Sequence, residues 1–346
     1  MHLEDYAALG RSALRVSPLA LGTMTLDEGF RRQSHENQPD AVLARYLELG
    51  GNYLDTGNGA AKAGGQTVVG SYVAKNSIRR DRLVIAAKFN VERHGEALGR
   101  KAIIAGFEQA LRRLRTDYLD LYWLDNWDIR APLEEMLEAL HDLVQSGKLR
   151  YFGISDTPAW KVAHAHLLTQ SNGWAPFIGL QIEYSLAARL FEIELIPLAR
   201  GLGLGVVSHS PLSGGLISGQ YTRANNAGIG TGHAAQLAQR PDAQDLEIVD
   251  ALFRVAEELG TTTARVALAW AMRFRSGFRR SRRRPSTRSR SLIRSLPCRC
   301  RCRMRRHCAA SIEPLLASGC RCRHLSTLAI ASLIDWHPYL RCQLSA

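Results

Sequence analysis

Six short apolar runs in the chain each stop at a polar residue, at a nearly even interval: NYLD at Asp55, LVIAAK at Lys88, LDLYWLD at Asp125, YFGISD at Asp156, IGLQIEY at Tyr184 and GVVSHS at Ser210. The steps between these ends are 33, 37, 31, 28 and 26 residues. That is close to the roughly 31 expected when about 250 residues are divided among eight strand-helix units. Runs rich in Leu, Ile, Val and Tyr, without clean polar alternation, suit strands of a parallel sheet buried on both faces. Helical patterns fill the gaps. From Pro132 to Lys148, Leu133, Met136, Leu137, Leu140, Leu143 and Val144 recur at three and four residues; Pro132 suits the first turn and Gly147 the stop. Similar faces can be drawn for Ala41 to Leu49, Arg100 to Arg115, Ile193 to Leu202 and Leu246 to Leu259.

Alternating strands and helices imply right-handed crossovers, hence either an open doubly wound sheet or a closed barrel. An open sheet that binds a dinucleotide should carry G-x-G-x-x-G between its first strand and first helix. LALGTMTLDEG lacks it, and the glycines of Gly201 to Gly205 precede an apolar run instead of following one. The preferred fold is therefore α/β, a (β/α)8 barrel of the TIM type. Its polar strand ends gather at the C-terminal mouth, where such barrels place their chemistry.

Composition divides the chain in two. Residues 1–273 hold 28 Lys+Arg against 30 Asp+Glu, whereas the last 73 hold 17 Arg, no Lys and 2 acids, so the net charge of +13 comes entirely from the tail. All 7 cysteines lie from Cys298 onward. The expected boundary falls near Arg273, with 1–273 as the barrel and 274–346 as an Arg/Cys-rich, disordered tail that replaces the eighth strand and helix. A run of about 18 apolar residues is absent and MHLEDYAALG is too polar for a secretory signal, so neither membrane nor export is expected and the cytoplasm is the default.

The segments that carry the even series also carry a resemblance. LGRSALRVSPLALGTMTL is similar to the opening hairpin and first strand of the aldo/keto reductases, GGNYLDTGNG to their second strand and loop, and DRLVIAAKF to the third. RTDYLDLYWLDNWD resembles the fourth, GKLRYFGISD the fifth, LQIEYSL the sixth, and SPLSGGLISGQY the seventh with its cofactor-covering loop. The resemblance covers residues 9 to about 273. It implies a barrel enzyme that uses NADPH to reduce a small-molecule aldehyde or ketone with four groups: an Asp, a Tyr five residues on, a Lys and a His. The Tyr protonates the developing oxyanion, the Lys supports the Tyr with the Asp holding that Lys, and the His orients the carbonyl.

Carried over residue by residue, Asp55 and Lys88 match, and they are expected to pair across neighbouring strands. The Tyr position is Ala60 and the His position is Asp125. Loss of a positioned general acid costs roughly 10²–10⁴ in rate, so an impaired enzyme is expected. Among stand-ins, Tyr53 lies a layer deeper, Tyr122 faces barrel core or helices, and Lys62 and His94 are solvated loop residues. Asp125 is the best substitute, although donation requires a protonated carboxyl and Lys88 nearby opposes that.

By the same resemblance the cofactor contacts are Gly22, Thr23, Ser155, Asp156, Gln181, Tyr184, Ser210, Leu212 and Gly214. Ser155, Asp156 and Gln181 would serve the nicotinamide carboxamide and Tyr184 its ring. Ser210, Leu212 and Gly214 would belong to the loop over the pyrophosphate. Gln220 takes the usual Lys position in SGxY.

Nothing after Arg273 matches the family's grip on the adenosine 2'-phosphate. The tail has the composition of a GC-rich gene translated out of frame, and sequencing tests whether a one-base shift restores an eighth strand. A +15 tail can bind nucleic acid through phosphates, but without Phe or Tyr from Arg279 to Ser332 it offers no stacking platform, so any affinity is nonspecific and salt-sensitive. Its C-x-C-x-C run lacks the ligand spacing of structural zinc sites. No metal is expected, and oligomeric state is left open. Two function classes stand: an NADP(H)-dependent carbonyl reductase of reduced activity, and a non-catalytic relative that binds the nucleotide or serves as a structural protein.

Overall fold

Every one of the six apolar runs forms a strand. The computed structural model describes residues 2–26, 39–58, 64–89, 99–125, 131–220, 222 and 243–272. A short antiparallel hairpin, β1 (Ala7–Ala8) and β2 (Arg15–Val16), opens the chain. Seven parallel strands follow in sequential order: β3 (Leu21–Gly22), β4 (Tyr53–Asn58), β5 (Val84–Phe89), β6 (Leu119–Asp125), β7 (Leu149–Ser155), β8 (Gly179–Glu183) and β9 (Gly205–His209). Simple sequential order with helical returns is the topology of a curling α/β barrel sheet. Among the described residues no eighth strand follows β9. The expected replacement and tail, 274–346, lie outside the described residues.

The helices are α1 (Pro39–Glu48), α2 (Gly64–Lys75), α3 (Arg100–Leu114), α4 (Leu133–Gln145), α5 (Ala159–Ser171), α6 (Leu195–Leu202), α7 (Ala243–Glu258) and α8 (Thr263–Met272). In α4, Glu134 and Glu135 occupy the first turn and Gly147 stops the helix at φ +73°. Acidic residues suit the positive helix start, and glycine takes the left-handed conformation at little cost. Among the described residues no helix is long and apolar enough to cross a membrane.

Alternation along the strands sorts two cores. Leu54, Ile85, Ala87, Tyr122, Leu124, Phe152, Ile154, Leu180 and Ile182 face outward and pack under the helices. Tyr53, Val84, Ala86, Leu121 and Trp123 face inward with Leu9, Leu14 and Val16 of the hairpin segment. Side chains point to opposite faces at successive positions. The inward row therefore continues from Ala86 to Lys88, from Trp123 to Asp125, and from Val207 to His209.

Trp123, 0% exposed, fills the interior. Room for its ring comes from glycines on the neighbouring strands: a Cβ on Gly153, its register partner, would lie 2.2 Å from the ring, and one on Gly179 3.5 Å from it. The hairpin closes the bottom of the sheet. Gly10, at φ +61°, lies so near that a Cβ there would stand 2.4 Å from the Ile178 carbonyl and 2.7 Å from the Gly205 nitrogen.

Candidate active site

Inward rows of parallel strands end together, so a polar residue closing one row meets those closing the next. Parallel pairing sets Gly22 beside Asp55, Lys88 beside Trp123, Asp125 beside Ser155, and Ser155 beside Gln181. The result is a polar rim at the C-terminal end of the sheet. A cavity of about 460 Å³ runs between the edge strands β3 and β9, from Leu9 and Val16 of the hairpin segment up to the rim, where Gly22, Asp55, Lys88, Gln181, His209 and Ser210 line it.

The expected pairing of Asp55 with Lys88 is not what the structure contains. Lys88 Nζ stands 3.0 Å from Asp125 Oδ1 and 4.0 Å from Asp156 Oδ2. Asp55 instead accepts hydrogen bonds from Gln181 Nε2 at 2.6 Å and from the Gly57 amide at 3.0 Å. The reason is register. Asp55 pairs with Ala86, and an irregularity between Asp55 and Asn58 sets Lys88 opposite Asn58, one pleat above the carboxylate. Asp125 follows Trp123, the partner of Lys88, by two positions, and so takes the ammonium diagonally. The side chains of Lys88 and Asp125 are only 13% and 7% exposed. Asp125 thus takes the ion-pair position beside Lys88 that was expected of Asp55.

Asp156 lies just past the end of β7 at φ +44°, a conformation uncommon outside glycine. Its amide donates to the Gln181 carbonyl at 3.1 Å. Its carboxylate faces His209, with Nε2 at 3.1 and 2.9 Å from Oδ1 and Oδ2. Burial alone would raise this carboxyl, but the hydrogen bond and charge of His209, with Lys88 beyond, outweigh it and hold Asp156 below the usual carboxylate value.

Of the other expected contacts, Gly22, Tyr184 and Ser210 line the cavity with Gln181, whereas Thr23, Ser155, Leu212 and Gly214 do not. Ser155 is buried. Gly22 has open space where a Cβ would stand. Thr23 is buried against Gly65 at the start of α2, away from the cavity wall. Tyr184 is buried, donates its hydroxyl proton to Glu192 Oε1 at 2.7 Å, and stacks on Trp270 at 5.1 Å between centroids, which covers one ring face. Ser210 caps β9 at φ +50° and Gly214 turns at φ +63° within Ser213–Gly215. Leu212 packs with Leu216 and Leu268 in the small cores beside α8. Ala60, Lys62 and His94 lie outside the described residues. Among the described residues there is no cluster of three or more His, Cys, Asp or Glu able to hold a metal ion.

The family model for the aldo/keto reductases matches residues 18–284. The chain belongs to the aldo/keto reductase family. The match begins past the hairpin and runs eleven residues beyond Arg273, where the resemblance in the sequence was expected to end. This aldo/keto reductase is 34% identical over 280 residues to the uncharacterized oxidoreductase YrpG of Bacillus subtilis, covering 78% of this chain and 83% of that protein. It is 32% identical over 275 residues to the norsolorinic acid reductase stcV of Emericella nidulans, covering 75% and 69%. It is 30% identical over 286 residues to the aldo-keto reductase ausK of Aspergillus calidoustus, covering 78% and 72%.

One residue on the wall of this reductase's cavity was missed from the sequence: His209. The apolar run GVVSHS ends at Ser210, yet positions 205, 207 and 209 share one face of β9. The alternation itself was the signal that could have found the histidine.

Proposed function

We propose that this mouth binds NADP(H) and reduces an aldehyde or ketone, and that it acts in the cytosol. The observation that carries the reading is Lys88: a nearly buried ammonium on the wall of a cavity at the strand ends, beside the Asp55–Gln181 hydrogen bond. A fixed, nearly buried cation is suited to a developing oxyanion, because it needs no reorganisation when the charge appears.

The residues fit a nicotinamide at the rim. Gly22 offers bare backbone with open space beside it, and the Gln181 side chain supplies an amide able to pair with a carboxamide. When bound, the cofactor supplies the hydride. Lys88 would hold the carbonyl oxygen, Asp55 would hold Gln181 in place, and Ser210 with the Ser213–Gly215 turn would face the phosphates. Among residues 210–220 no Lys or Arg is present. The phosphate grip in this stretch therefore rests on backbone amides, and weaker binding than in a relative with Lys at the Gln220 position follows.

The second reading, a nucleotide-binding protein without turnover, is favoured by one contact: Asp125 at 3.0 Å offsets part of the Lys88 charge that would meet an oxyanion. Titration of the purified chain with NADPH, followed by nicotinamide fluorescence, separates the readings. Saturable binding with NADPH consumption on adding an aldehyde is the expected outcome. Binding without consumption selects the second reading, and a flat titration defeats both.

A further inference from the structure

A lysine carries its charge on a flexible four-carbon stem, so an ammonium that is to meet an oxyanion at one place has to be held there. Three carboxylates stand around the mouth, and they are not equivalent. Asp55 has both oxygens engaged elsewhere: Oδ2 accepts from Gln181 Nε2 at 2.6 Å and Oδ1 from the Gly57 amide at 3.0 Å. Asp156 stands 4.0 Å from Lys88 Nζ, and its two oxygens face His209 Nε2 at 3.1 and 2.9 Å. Of the three, Asp125 is the one within hydrogen-bond reach of the ammonium, at 3.0 Å.

Asp125 also has the stiffest seat. It closes β6, a strand whose seven residues are all buried and which is paired on both sides, with β5 and with β7. Asp55 and Asp156 lie on less regular backbone, the first beside the register shift that precedes Asn58 and the second at φ +44° past the end of its strand. Groups carried on strands hold a geometry more closely than groups carried on loops. Lys88 lines the cavity, whereas Asp125 lies behind it, off the wall. The carboxylate therefore acts on a molecule in the cavity through the ammonium, without touching that molecule itself.

We propose that Asp125 is the positioning residue for Lys88, fixing the ammonium where the carbonyl oxygen is held, while Asp55 acts on the cofactor side through Gln181. The proposal rests on the carbonyl-reductase reading above. It divides two duties between two carboxylates: Asp125 bears on the chemical step and Asp55 on nucleotide binding. Position and charge can be told apart at residue 125. Asparagine keeps an oxygen that accepts from the ammonium at the same place and removes the negative charge. Glutamate keeps the charge and carries it one methylene further along.

The test uses the full chain with Asp125→Asn, Asp125→Glu and Asp55→Asn, with rates taken per folded chain. Steady-state reduction of an aldehyde is measured alongside NADPH affinity by fluorescence. The expected result is a kcat lowered about 10²-fold in Asp125→Glu and less than about tenfold in Asp125→Asn, because a misplacement of about 1 Å costs on that scale. NADPH affinity should stay parent-like in both. Asp55→Asn should split the other way, with NADPH affinity falling by a larger factor than kcat. A purely structural pair would move the unfolding midpoint and leave kcat alone. The ammonium itself is followed by ¹H–¹⁵N NMR of the lysine side chains, with the Lys88 signal assigned through Lys88→Arg. That signal should hold its position in Asp125→Asn and move in Asp125→Glu. Parent-like kcat in both Asp125 variants, a larger loss in Asp125→Asn than in Asp125→Glu, or a Lys88 signal unmoved in both would overturn the proposal. A parent that leaves NADPH unbound or unconsumed removes the reductase reading instead, and the ammonium signal then decides whether Asp125 fixes Lys88.

Discussion

Replacing Lys88 with Met should cost both stability and turnover, and the two losses should separate in a second variant. The ammonium is 3.0 Å from the Asp125 carboxylate in a nearly buried setting. Removing one partner of such a pair leaves the other charge desolvated, an effect of about 3–5 kcal/mol. Replacing both with apolar residues of similar volume is often near neutral. In urea unfolding, Lys88→Met should therefore be strongly destabilised and Lys88→Met/Asp125→Leu should regain most of the loss. Turnover should stay absent in both, because the charge facing the oxyanion is missing in each. A double variant that recovers stability and rate together would show that Lys88 serves only the fold.

Trp123→Ala should be comparably damaging for a different reason. The indole lies at the centre of the inward core, and deletion of a buried Trp or Phe side chain costs about 3–5 kcal/mol through lost burial and the void left behind. The glycines opposite add a check on the packing. In the parent, Gly153→Ala drives a methyl group to 2.2 Å from the indole, an overpacking cost of about 1–3 kcal/mol. In the Trp123→Ala background the indole is gone and the same change should cost much less, although the Gly179 carbonyl at 2.9 Å remains. Unfolding midpoints of the four chains give the coupling. Additive losses would contradict the contact. Trp123 is also the register partner of Lys88, so its loss should loosen the floor of the site and lower kcat in the folded fraction.

The order and spacing of strands were legible because each buried strand announces itself as an apolar run with a polar end. Helices α1, α3, α4, α6 and α7 were legible from their apolar faces. Helices α2 and α5 present weaker apolar stripes. In α5 the pattern is blurred by Trp160 and Leu167, which lie exposed on the surface. The contents of the rim were legible as residue types, but their partners were not. Whether Lys88 meets Asp55 or Asp125 depends on a one-residue register shift in β4, a detail with no mark in composition or periodicity. His209 is hidden because the apolar run ends at Ser210 while the strand itself ends at His209. Its bond to Asp156 joins positions 53 residues apart and arises only when β7, β8 and β9 lie side by side.

Hydride should pass to a carbonyl carbon at this mouth. Mixing the chain with an aldehyde and NADPH deuterated at the transferable C4 position, then analysing the alcohol by NMR, tests it directly. One deuterium on the carbinol carbon and none on oxygen after exchange is the expected result, with the product absent in Lys88→Met. NADPH that stays bound and unoxidised, or alcohol free of deuterium, would contradict it.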